Sequence, residues 1–121
     1  MNLEFNLILE IVTSFYQKAN FDILIGYHFR HIEDFDTHLP RIASFWQLQL
    51  TGKITRREEL PFDIINLHKS LKINKGEVHR WVTLFIQTLE EFYAKEKITN
   101  LEKETWIKKI EPFKNKILTL S

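Results

Sequence analysis

Three glycines and three prolines are all the punctuation that this chain of 121 residues carries. A many-stranded sandwich needs a turn signal about every 8–12 residues. So few breaks favour long helices. The apolar positions agree, because they recur at spacings of three and four rather than alternating. Leu3, Leu7, Ile8, Ile11, Val12, Phe15 and Tyr16 form one such stripe, which fades near Asn20. A short apolar piece, Phe21–Tyr27, ends near Gly26. Ile42, Phe45, Trp46 and Leu50 form a second stripe, with Asp34 or Asp36 as its cap and Pro40 near its first turn. Pro61 opens a short helix carrying Ile64, Leu67, His68 and Leu71. Asn74 caps a long helix with Val78, Trp81, Val82, Phe85, Leu89 and Phe92 inward. Asn100 caps the last, with Leu101, Thr105, Ile110, Phe113, Ile117 and Leu120 available for packing and a bend or break at Pro112. The pattern predicts an all-α chain of five or six helices.

The length suits a single domain over 1–121, able to bury roughly two-thirds of its unfolded surface. Ten Phe, three Trp and three Tyr supply a core too rich for a disordered chain. The polar stretch Thr51–Glu59 reads as a loop inside that domain. Lys and Arg total 17 against 16 Asp and Glu, so no bulk charge argues for nucleic acid. Met1–Ile11 carries Glu4 and Glu10 and lacks a basic flank, unlike a signal peptide. No apolar run approaches the ~18 residues of a membrane span. A soluble cytoplasmic protein without membrane or nucleic-acid partners is the expectation.

The absence of Cys removes disulfides, thiolate metal sites, thiol nucleophiles and covalent haem attachment. No glycine-rich phosphate loop and no serine elbow occurs, and neighbouring Glu90 and Glu91 point apart on a helix. No catalytic residue is therefore assigned. Lys53–Arg57 is basic, but Glu58 and Glu59 offset it. That leaves the five histidines, His28, His31, His38, His68 and His79, as the strong candidate ligands for a borderline metal. None has the His-Glu-x-x-His spacing. His28 and His31 read as solvated loop residues.

A more informative pattern surrounds the other histidines. His38, Ile42, Phe45 and Trp46 stand at i, i+4, i+7 and i+8, an apolar helix face headed by a histidine. His68 sits among Ile64, Leu67 and Leu71 on another. Two histidines facing one apolar cavity suit a flat macrocycle, with one nitrogen on iron and the opposite side open to a small ligand. Two hydrogen-bonded core histidines are the alternative. Tyr16 lies on the inward stripe of the first helix, and a buried phenol needs a partner. Trp81 is a second amphipathic ring that can face the same cavity.

At these residues the chain resembles the group III truncated haemoglobins. The resemblance runs over roughly Phe5–Phe92. It comprises Phe15-Tyr16, Leu24-Ile25-Gly26-Tyr27-His28-Phe29, Phe35-Asp36-Thr37-His38 followed by Phe45-Trp46, and Gly52. Pro61-Phe62 with His68 and Leu71, and His79-Arg80-Trp81-Val82-Thr83-Leu84-Phe85 with Thr88-Leu89, complete it. Pro61 stands farther from His68 than in the family, and Ile25 and Tyr27 replace a Gly-Pro turn. His79 is the alternative ligand.

The resemblance implies a shortened globin fold whose helices sandwich one haem b. It implies His68 as the proximal iron ligand. It implies Tyr16, His38 and Trp81 on the distal side, with His38 either swinging onto iron or staying toward solvent. Phe29, Ile42, Phe45, Trp46, Leu71 and Phe85 would pack on the cofactor, and Arg41 would meet a propionate. The implied function is binding of O2, NO, CO or a similar diatomic, for nitric oxide or peroxide handling or for sensing. A separate reductase and a monomeric or weakly dimeric state go with it. A haem-free globin-like interaction domain and an unrelated helical partner-binding protein are the alternatives.

Overall fold

A computed structural model describes residues 3–26, 35–56, 58–59 and 74–120. Every regular element among them is a helix. These are α1 (Phe5–Phe21), α2 (Phe35–Thr51), α3 (Lys75–Ala94) and α4 (Asn100–Leu120). The all-α expectation therefore holds over these residues. The helix expected to open at Pro61 lies outside them.

Local chemistry sets most helix ends. Asp22 follows α1 in extended conformation. Its carboxylate accepts from the backbone N–H groups of Leu24 (2.9 Å) and Ile25 (3.2 Å), which turns the chain away. α2 stops at Gly52, whose φ of 79° is left-handed and free of strain only for glycine. Asn74 and Glu77 close a capping box on α3: Glu77 N donates to Asn74 Oδ1 at 2.9 Å and Asn74 N to Glu77 Oε1 at 3.1 Å.

Three helix expectations need correction. Asp36 lies inside the first turn of α2 instead of capping it, and Asp34 is outside the described residues. The cap of α4 is Thr99, not Asn100. Glu102 N donates to Thr99 Oγ1 (3.1 Å) while Thr99 N donates to Glu102 Oε1 (2.8 Å), a second reciprocal box one residue earlier. Pro112 does not break α4, which runs on to Leu120. Ile110 and Ile117, buried on either side of it, hold the helix in place despite the lost backbone donor.

The helices form two antiparallel pairs joined into a ring. α1 packs on α2 and α3, α3 packs on α4, and α4 closes back on α2. Arg56, just past α2, reaches Asn6 Oδ1 at 2.8 Å and lies over the Phe5 ring at 4.6 Å. That fixes the α2 exit beside the α1 start. Phe85 sits at the centre, fully buried. Its ring meets Phe15 of α1 at 4.7 Å, Trp46 of α2 at 5.4 Å and Trp106 of α4 at 5.6 Å. One side chain thus contacts each of the other three helices.

Candidate functional site

Tyr16 and Trp81 both pack against Phe15. Both are buried, one on α1 and one on α3. Phe15 stands edge-on to each ring, 4.7 Å from Tyr16 and 5.9 Å from Trp81 by centroid. Phe15 thereby packs on both amphipathic rings, and Phe85 packs on Trp81 as well.

The level at which these residues meet is set by ion pairs along the α1–α3 seam. Arg80 grips Asp22 through Nε and Nη2, each 2.8 Å from Oδ2. Lys18 reaches Glu91 at 3.1 Å and also the buried Thr88 hydroxyl at 3.2 Å. Lys97 pairs with Glu10 at the far end. Tyr16 lies between Glu10 and Lys18 in sequence, and Trp81 is next to Arg80. A slip of α1 against α3 would break all three pairs at once.

Burial pushes the Tyr16 phenol far above its ordinary range. Tyr16 is therefore a neutral hydroxyl at any physiological pH, a donor and not a base. Asp22 behaves oppositely. Burial opposes its ionisation, but the Arg80 hydrogen bond, the two backbone N–H donors and the Arg80 charge outweigh burial. Its carboxyl sits below the usual carboxylate range.

The remaining expected residues divide. Ile42, Phe45, Trp46 and Phe85 are buried as foreseen. Trp46, however, turns to Phe85 and to Trp106 at 5.8 Å, and Phe45 turns to Phe113 at 4.9 Å. These two rings pack on α3 and α4. His38 and Arg41 are half-exposed on α2, and His79 is exposed on α3. Phe29, His68 and Leu71, with His28 and His31, lie outside the described residues. Among the described residues no group of three or more His, Asp or Glu side chains is placed to hold a metal.

Two participants in this core escaped the sequence reading. Phe15 was a stripe residue only, yet it contacts both Tyr16 and Trp81. Trp106 is fully buried. Its signal was present, since Trp106, Ile110, Phe113 and Ile117 recur at four, three and four. A stripe begun at Leu101 instead starts on a residue that is 68% exposed.

No family model, no curated protein and no solved structure matches the chain. None of the described helices is long and apolar enough to cross a membrane.

Proposed function

We propose that the chain is a haem-binding globin-like protein that takes up a diatomic ligand such as O2, NO or CO. The observation that carries this reading is a phenol and an indole, Tyr16 and Trp81, both uncharged, both buried and both packed against Phe15 in an apolar setting. Proteins rarely bury polar tips without a use for them. The donor set fits a haem distal side, because neutral donors stabilise partial negative charge on a ligand without competing for the metal. Ile42, on the same helix as His38, adds an apolar wall. His68 is the proposed proximal ligand by the resemblance to group III truncated haemoglobins, and haem b the proposed cofactor.

Haem would supply the iron that binds the ligand. The chain's own work is to exclude water, orient the phenol and donate its proton to the ligand's outer atom. A neutral hydrogen bond of this kind contributes roughly 1 kcal/mol or more in a site of low dielectric. Such retention suits chemistry on the ligand or sensing, with a separate reductase as electron donor, better than transport. In haem-loaded protein, Tyr16→Phe is expected to speed O2 dissociation about fivefold. An unchanged rate would remove Tyr16 from the ligand site.

A second reading has its own support. Phe45, Trp46, Phe85, Trp106 and Phe113 touch ring to ring between α2, α3 and α4. Side chains thus fill the space there, which suits a haem-free globin-like interaction domain. Failure of the purified chain to take up haemin would favour it.

A further inference from the structure

We propose that the cleft between the start of α1 and the loop after α2 binds a small zwitterion of the α-amino-acid class. Its volume is about 470 Å³, within the range of about 300–1,000 Å³ common for small-molecule sites. Leu3, Phe5 and Gln47 form its buried floor. Glu4, Lys53 and Thr55 stand on its exposed rim. The cleft opens at the start of α1, whereas Tyr16 lies in the second half of that helix, so haem is not needed to fill it.

The deciding residue is Gln47, which is only 2% exposed. Thr55 N donates to Gln47 Oε1 at 3.0 Å, and Thr55 Oγ1 donates to the same oxygen at 3.1 Å. A backbone N–H can bond only to the oxygen of a carboxamide, so the nitrogen end keeps both of its N–H donors. Among the described residues Nε2 meets no acceptor, yet it is not one of the fully enclosed atoms without a partner. It therefore opens on the cleft that Gln47 lines. Water can accept from it, and a carboxylate accepts more strongly. Glu4, at the N-cap of α1, makes no side-chain cap hydrogen bond. α1 thus brings uncapped N–H groups and the positive end of its dipole to the same cleft. Lys53 adds an ammonium on the rim. Together these donors make a carboxylate subsite. Glu4 disfavours a simple anion and suits a ligand that also carries an ammonium. Leu3 and Phe5 suit a hydrocarbon side chain. A carboxylate, an ammonium and a hydrocarbon on one small molecule describe an apolar α-amino acid. The two walls are already tied together, because Arg56 bonds Asn6 Oδ1 at 2.8 Å and covers the Phe5 ring. Little ordering is left for the ligand to induce.

The test is an NMR titration of the 15N-labelled full chain with leucine, methionine and phenylalanine as free amino acids, each alone. At least one is expected to shift the amide signals of Phe5, Gln47 and Thr55 saturably. No saturable shift at about 10 mM, well past a millimolar dissociation constant, would overturn the proposal. Gln47→Glu keeps an oxygen for Thr55 but replaces the donor with an acceptor, and is expected to weaken binding about tenfold or more. Lys53 is exposed, so Lys53→Gln leaves the core intact and is expected to weaken binding about threefold. Unchanged affinity in both variants would put the ligand elsewhere and overturn the site. Isocaproate, which is leucine without its ammonium, is expected to bind more weakly than leucine, and Glu4→Gln to remove that difference. Equal binding of the two by the wild type would overturn the assignment of a zwitterion.

Discussion

Trp81 and Trp106 stand on adjacent helices, and both press against Phe85, at 5.7 Å and 5.6 Å. Both are buried. Their neighbours differ. Trp81 also meets Phe15 of α1, whose ring packs on Tyr16, whereas Trp106 also meets Trp46 of α2. Trp106 Nε1 is a buried donor without a hydrogen-bond partner among the described residues. Identical residues thus join Phe85 to two different surroundings. The α1–α3 side holds the buried Tyr16 phenol and carries the functional reading, and the α2–α4 side is a cluster of rings. Burial alone does not separate a site from a core; the neighbours do.

Phe85 joins the two regions, so removing it gives the largest effect. Phe85→Ala is expected to cost about 3–5 kcal/mol, read as a lower urea midpoint with the slope unchanged. A loss below about 1 kcal/mol would mean that the two regions do not share a core.

Trp106→Phe sharpens the contrast. It trims volume but also deletes the stranded N–H, whose burial works against folding by roughly 1–3 kcal/mol. The two effects oppose each other, and the expected net change is within about 1 kcal/mol, measured by the same denaturation. A loss as large as that of Phe85→Ala would show that Trp106 Nε1 makes a bond in solution.

The smallest effect concerns the seam. Asp22 is held below its ordinary range in the folded chain. Its contribution is therefore complete above the unfolded value of about 3.9 and is lost as pH falls through the lower folded value. Arg80 is more than one-third exposed at the side chain, so Arg80→Ala is expected to cost only about 1 kcal/mol at pH 7. The gap from wild type should begin to narrow below about pH 4. A gap that does not narrow at all as pH falls below about 4 would assign the loss to packing of the Arg80 stem instead of charge.

The helices were legible in the sequence because their signals are local. Spacings of three and four reported α1, α2 and α3, and Asn74 with Glu77 announced a cap. The α4 start was misread by one residue because Asn100 and Thr99 are both capping types. Only the reciprocal bonds to Glu102 choose between them. Pro112 was misread because a proline's local penalty is visible in sequence and the packing of Ile110 and Ile117 that outweighs it is not. The site divides in the same way. Tyr16 and Trp81 could be named from their stripes, but their shared packing on Phe15 depends on the register of α1 against α3. That register is held by Asp22–Arg80 and Lys18–Glu91, pairs separated by more than fifty residues in the chain. The turning of Phe45 and Trp46 toward α4 was equally hidden, since a helix stripe gives a face without saying which neighbour covers it.

The most direct test of the haem reading is the absorption spectrum of the protein produced with a haem supply, beside that of His68→Ala. The account predicts a Soret band at near-stoichiometric haem in the wild type, weakened or shifted in the variant. A colourless wild type that refuses added haemin would contradict it.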